Sequence, residues 1–289
     1  MVARLRSLVD FLYHMIKKFR LDKKVVLVTG GAGFLGNFFV DALLDMGATA
    51  IILDKSAEAI TKTLQRFSKK QEQVSCHQLD IIDNDRIKQI VKEIVSAHGR
   101  IDILVNAAAF AMKDLNESVG DFFAKFEDYD QSLWQIALDV NLTGTFLITQ
   151  AVGKVMKRQQ KGVIVNVASD VAIISPDHRI YEPDEKNNYS GVPFNTPMSY
   201  SVAKAGILSF TRYLATYWAK DGIRVNSISP AGVYRNQDPN FVEQLSFRIP
   251  LGRMAKPEEL KGPLVFLCSE ASSFITGTNL IVDGGRTIW

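Results

Sequence analysis

Cysteine and histidine are scarce in this chain, two and four respectively among 289 residues. Cys76 and Cys268 lie far apart and form no C-x-x-C pair, so neither a disulfide framework nor a zinc site is signalled. His77 follows Cys76, but neighbours in a strand face opposite ways, and no metal is expected. A reducing, cytoplasmic compartment fits this usage. Also missing are an apolar run uninterrupted over the length of a bilayer and an h-region followed by small residues. Residues 24–289 contain no internal repeat, low-complexity tract or Pro/Gly/Ser linker, which favours one domain there over two. The basic excess is equally confined. Residues 1–24 carry seven Lys or Arg and two Asp, leaving 27 basic against 29 acidic residues beyond. A slightly acidic body argues against nucleic acid as a partner.

The first 23 residues form a separate extension. Leu5, Leu8, Val9, Leu12, Met15, Ile16 and Phe19 recur at helical spacing among Arg4, Asp10, Lys17 and Lys18, the pattern of an amphipathic basic helix. Such a helix can lie on an anionic membrane as a peripheral contact. Packing on its own body or on a neighbouring subunit is favoured, because a lone apolar stripe usually finds protein to cover it.

From Lys24 onward, apolar runs alternate with helical patterns. The runs are VVLVTG, TAIILD, QVSCHQLD, IDILVNAA, GVIVNVAS, IRVNSISP and NLIVDGG; helices are expected near 34–46, 57–69, 84–98, 131–158, 199–220 and 257–269. Continuous Val/Ile runs joined by helical crossovers predict an α/β fold, a doubly wound parallel sheet of seven strands with helices on both faces. Two long segments break the rhythm, one from Ser169 to Ser199 and one from Ala231 to Pro257, and both read as irregular. Each begins at the carboxyl end of a strand, the edge where open α/β sheets bind ligands.

The stretch TGGAGFLG sits between the first strand and the first helix. Gly30, Gly33 and Gly36 there permit a tight turn, close approach to a pyrophosphate and close helix packing, while the helix N-terminus offers free N–H groups. Asp54 ends the second strand 18 residues after Gly36. A carboxylate at that place accepts from a ribose hydroxyl and repels a 2′-phosphate, which favours NAD over NADP, although Lys55 follows directly. In SYSVAKAG, Tyr200 and Lys204 share a helical face, and an ammonium beside a phenol favours the phenolate.

Taken in order, TGGAGFLG, LDIID, NAAA, NLTG, VIVNVAS, YSVAK, IRVNSISPAGV, PLGRMAKPEE and GTNLIVDGG resemble the short-chain dehydrogenase/reductases from about Lys24 to the C-terminus. The resemblance implies a single-domain Rossmann fold over 24–289. It assigns Tyr200 as general acid/base and Lys204 as the group that lowers the tyrosine pKa and bonds the nicotinamide ribose. Ser169 would orient the substrate oxygen, and Asn141 would hold a water in a proton relay. Cofactor binding would fall to the glycine turn, with Phe34 and Leu35 beside Gly30, Gly33 and Gly36, and to Asp54. Asp80 and Ile81 would sit by the adenine, Asn106 and Ala107 would support the cofactor strand, and Pro230 and Val233 would face the nicotinamide. A homodimer or homotetramer is also implied, with the Asn141 and Tyr200 helices between subunits.

Three features depart from the family pattern. Phe34 stands where classical members usually have their second glycine, as in the extended subfamily of nucleotide-sugar epimerases and dehydratases. Ala231, Arg235 and Asn236 replace a common glycine and threonine. The 31 positions from Ser169 to Tyr200 exceed the family's usual interval. That insertion carries His178, Arg179 and Tyr181 in a polar setting unlike an acyl-chain pocket, so these residues and Arg235 are candidate contacts for a sugar- or polyol-like substrate. Members with a similar insertion look like dehydrogenases of surface-glycan or flagellin-sugar biosynthesis, and others resemble gluconate 5-dehydrogenase. The expected activity is NAD(P)-dependent interconversion of a secondary alcohol and a ketone. Its rivals are a nucleotide-sugar epimerase or dehydratase, weakened by the mere 85 residues after Lys204, and a non-catalytic NAD-binding protein.

Overall fold

The structure, a computed structural model, describes residues 15–110, 124–181, 188–189, 192–193 and 196–289. Strands β1 (Val25–Thr29), β2 (Thr49–Asp54), β3 (Val74–Gln78), β4 (Ile103–Asn106) and β5 (Gly162–Val167) come first. A short antiparallel ribbon, β6 (Asn188–Tyr189) with β7 (Val192–Pro193), precedes β8 (Ile223–Pro230) and β9 (Asn279–Val282). The main sheet has seven strands in the order β3-β2-β1-β4-β5-β8-β9, and every pairing in it is parallel. This is the doubly wound fold expected from the apolar runs.

Strand alternation divides the core in two. Val26, Val28, Ile52 and Val105 pack on one face with Phe39, Val40 and Leu43 of α1 (Phe34–Asp45) and Leu264 of α8 (Lys261–Cys268). Val25, Leu27, Ile51 and Leu104 pack on the other with Ile87, Ile90 and Ile94 of α3 (Asn84–His98). Burial on both faces is why these strands read as unbroken Val/Ile runs. Helix α2 (Ala57–Arg66) lies between β2 and β3, and its Ser56 cap accepts the Ala59 N–H.

The expected helix near 131–158 is observed as α4 (Gln131–Leu138), a π turn (Asp139–Gly144) and α5 (Thr145–Gln159). By length and composition this span could cross a membrane. Ile148, Val152 and Met156 are nevertheless wholly buried against the sheet, as in a core helix. Helix α6 (Met198–Tyr217) carries the Tyr200 motif. One expectation needs correction. The segment after β8 is not irregular throughout, because it forms α7 (Pro239–Phe247), where Asp238 accepts the N–H groups of Asn240 and Phe241 and Pro239 occupies the first turn. That is an ordinary helix start which the surrounding polar residues hide from a periodicity search.

Residues 1–14 of the expected amphipathic helix lie outside the described residues. Residues 15–17 are helical with Met15 and Ile16 exposed, and Leu21 is buried with its N–H donated to the Met46 carbonyl.

The strand order reverses between β1 and β4, so a crevice opens at their carboxyl ends. Gly30 turns there with φ +63°, and a Cβ added to it would lie 2.6 Å from the Ala108 Cα. Gly30→Ala therefore meets both left-handed strain and a backbone clash. It should cost about 2–4 kcal/mol, measurable by urea unfolding, with larger loss of dinucleotide affinity than Gly99→Ala, whose added Cβ meets nothing.

Candidate functional site

A cleft of about 360 Å³ opens at this switch point. One wall is the glycine turn, with Gly30, Gly33, Phe34, Leu35 and Gly36; Asp54 and Lys55 close one end, Asp80 and Ile81 the side, and Ala107 the floor. Tyr200 and Arg235 line the same space. Most of the cofactor residues expected from the sequence are thus brought together. Asn106 and Pro230 are different, being buried in the strands beneath, and Val233 forms a bridge to Ala255. Asn106 donates its amide to Thr149 at 2.9 Å and to Asn166 at 2.8 Å, so it locks β4 to its neighbours.

The cleft fits a dinucleotide in its donors and its space. Helix α1 begins at Gly33 with no side-chain cap and no acid in its first turn, which leaves its N–H groups and positive end for an anion. Asp54 is half-buried, accepting the N–H of Ala32 at 3.2 Å on one oxygen and of Ser56 at 3.1 Å on the other. Those bonds fix the carboxylate where the glycine turn and β2 meet. Sequence reasoning missed Thr29, whose hydroxyl accepts the N–H groups of Ala107 at 3.1 Å and Ala108 at 3.2 Å. Its position directly before the first glycine was the available signal.

At the other end, α6 presents Tyr200 and Lys204, with the Lys204 Nζ 5.6 Å from the Tyr200 ring centre. Lys204 is 3% exposed and donates to the Val167 carbonyl at 2.8 Å, so the end of β5 holds it. Ser169, two residues further, is hydrogen-bonded to Tyr200 and donates its hydroxyl proton to Asp170 at 2.9 Å. Asn141 lies buried in the π turn, its amide donating to the Ala137 carbonyl at 2.9 Å and its oxygen accepting the Phe110 N–H at 3.1 Å. The side chain thereby stabilises a backbone irregularity beside the cleft, a common setting for π turns.

Burial dominates the electrostatics here. It pushes the Tyr200 phenol up to about 12; the Ser169 hydrogen bond pulls it back and the Asp170 carboxylate pushes it further up. Burial also brings the Lys204 ammonium down to about 8. The phenol thus lies above its ordinary value, with loss of water the largest cause.

Of the substrate candidates, Arg235 lines the cleft, and His178, Arg179 and Tyr181 do not. His178 and Arg179 are exposed, and Arg179 forms an ion pair with Asp177 at 2.8 Å. Tyr181 is hydrogen-bonded to Thr196 at 2.6 Å and stacks on Phe241 of α7, with ring centres 6.0 Å apart. Arg235 lies over the Phe34 ring at 5.3 Å, on the cofactor side of the cleft. Two departures from the family pattern thus meet in one contact.

The sequence model described as short chain dehydrogenase matches residues 24–180, and that described as enoyl-(acyl carrier protein) reductase matches 188–287. The chain is 33% identical to a D-threitol dehydrogenase of Mycolicibacterium smegmatis over 93% of its own length and 95% of the relative's. It is also 33% identical to the 3-oxoacyl-[acyl-carrier-protein] reductase FabG of Thermotoga maritima, covering 93% and 100% of the two chains. A short chain dehydrogenase from Leptospira borgpetersenii, solved with bound NAD+, superposes with a TM-score of 0.79 at 35% identity, over 95% and 96% of the two chains.

Lys204 titrates near 10.5 when unfolded and near 8 in this site. Between those values the unfolded chain binds more protons, so the burial penalty, full below pH 8, is relieved as pH rises. The stability of wild type relative to Lys204→Met should therefore increase from pH 8 to 10.5, on the order of 1–3 kcal/mol, in urea titrations across that range.

Proposed function

The chain belongs to the short-chain dehydrogenase/reductase family of oxidoreductases acting on CH–OH groups, and we propose that it interconverts a secondary alcohol and a ketone on a sugar- or polyol-like substrate with NAD. The observation that carries this reading is Tyr200, which lines the same cleft as the glycine turn and Asp54 and is hydrogen-bonded to Ser169. The nicotinamide ring, when bound, accepts or gives the hydride. The chain's own residues handle the proton. In the oxidative direction the Tyr200 oxygen takes the substrate hydroxyl proton as the C–H pair leaves as hydride, and in reduction it returns that proton to the new alkoxide. Ser169 orients the reacting oxygen, and Lys204, held by the Val167 carbonyl, supplies a positive charge that favours the phenolate once protonated.

NAD is preferred on the strength of Asp54, since a fixed carboxylate at the end of β2 repels a 2′-phosphate. A polyol or sugar is preferred on the polar character of the insertion and on the likeness to the threitol enzyme. A homo-oligomer is supported by Phe146, Tyr213 and Tyr217, which stand 44%, 65% and 59% exposed along α5 and α6. Apolar surface of that kind on two adjacent helices suits a second copy of the chain. The unpaired cysteines fit a reducing cytoplasm.

Reduced-nicotinamide absorbance across polyols, aldonates, sugar phosphates and nucleotide sugars tests the activity. Turnover with NAD should exceed that with NADP, Tyr200→Phe should lower it by about 10²–10⁴-fold, and Asp54→Ala should narrow the NAD preference. Conversion of a nucleotide sugar without net nicotinamide change would mark an epimerase or dehydratase instead, and binding of NAD without conversion of any substrate would mark a sensor. Sedimentation of wild type should give a dimer or tetramer that Tyr213→Glu weakens; a monomer at every concentration would contradict the oligomer.

A further inference from the structure

Behind the Ser169–Tyr200 hydrogen bond lies a buried ion pair that the reaction above does not use. Asp170, 3% exposed, directly follows Ser169 and opens the short turn Asp170–Ala172. One of its oxygens accepts from the Ser169 hydroxyl at 2.9 Å and from the Val171 N–H at 2.8 Å. The other meets the guanidinium of Arg286, which is 7% exposed and comes from the last turn of the chain. That turn is built to present it. The Asp283 carboxylate accepts the N–H of Gly285 at 2.8 Å and of Thr287 at 2.7 Å, and Gly285 takes the left-handed conformation, φ +91°, that lets the chain reverse.

Several groups face this carboxylate. Ser169 comes from its own turn, Tyr200 from α6, the Tyr181 phenol from the turn His178–Tyr181, and Arg286 from the tail. Asp170 opposes ionisation of both phenols, and Arg286 counters it at Tyr181. The Ser169 hydroxyl has a single proton. Given to Asp170, it is withheld from the oxygen of Tyr200 or of a substrate.

We propose that Asp170 and Arg286 are a positioning pair for the acid–base site, in which the tail arginine holds and neutralises the carboxylate that competes for the Ser169 proton. The pair rests on the oxidoreductase reading and acts through Ser169 and Tyr200 without touching substrate. Removing the arginine leaves a lone buried carboxylate, which grips the serine proton harder and repels the phenolate. Removing the carboxylate's charge relaxes both effects. The two changes must move the site in opposite directions.

The test compares wild type with Arg286→Met, Arg286→Lys, Asp170→Asn and the Asp170→Asn/Arg286→Met double variant. The readouts are the acid limb of kcat/KM for NAD-dependent D-threitol oxidation and the phenolate absorbance of each protein minus its Tyr200→Phe counterpart, which needs no substrate. Thermal unfolding and NADH fluorescence report folding and cofactor affinity. Arg286→Met should raise the acid limb by about one pH unit and lower kcat with NADH affinity unchanged, and Arg286→Lys should restore it. Asp170→Asn should lower the limb, and the double variant should return near wild type because no lone charge remains. Folded variants whose limbs and phenolate titrations superpose on wild type would overturn the pair. If Arg286→Met does not fold, an unmoved Asp170→Asn and double variant overturn it equally. Should D-threitol not turn over, the phenolate titration decides. Full turnover in Tyr200→Phe would sink the acid–base role of Tyr200 on which the pair rests, whereas a silent Tyr200→Phe with unmoved limbs sinks only the pair.

Discussion

The close approach of the β1 and β4 ends is the constraint on which the rest of the site depends. Gly30 passes against Ala108 with no room for a side chain, and the Thr29 hydroxyl gathers the next two N–H groups of the β4 loop. The Gly30 N–H in turn reaches the Leu53 carbonyl, so three strand ends are tied at one point. From that junction α1 departs with its N-terminus free, Asp54 is held to the Ala32 N–H, and the cleft floor is set. Looser packing there would separate the anion-binding end of α1 from the β2 carboxylate.

The far end of the cleft works by exclusion of water. Burial pushes the Tyr200 phenol up to about 12 and the Lys204 ammonium down to about 8, each shift favouring the neutral form. At neutral pH the phenol is thus held protonated while Lys204 keeps most of its charge, and that charge favours the phenolate form that the proton transfer needs.

Much of this was legible in the sequence because it is local. Strand alternation, the glycine spacing, Asp54 at a strand end and the four-residue step from Tyr200 to Lys204 all express short-range geometry. What escaped depends on distance or on competing terms. The Asp170–Arg286 contact joins positions 116 apart, and no periodicity announces it. Helix α7 was masked by its polar residues although Asp238 and Pro239 mark its start. The burial that raises the Tyr200 phenol is likewise not visible in Y-x-x-x-K, since that motif shows a neighbour's charge and conceals the loss of water.

The long interval between Ser169 and Tyr200 raises a folding problem that the structure answers with a small core of its own. Ile180 from the insertion packs with Leu245 of α7 and with Ile249 and Met254 beyond it, and Tyr181 and Phe241 stack at the edge. Asp177 is gripped by Arg248 at 2.6 Å as well as by Arg179, and those two guanidinium groups hold its carboxyl well below the usual range. The two irregular segments are therefore one unit in packing, anchored to the tail where the Trp289 indole donates to the Arg248 carbonyl at 3.3 Å. A wall with its own core can differ in polarity from an acyl-binding relative without disturbing the acid–base residues beneath it. The tail that steadies the wall also delivers Arg286 to Asp170. The tail thus touches the wall through Trp289 and the acid–base site through Arg286.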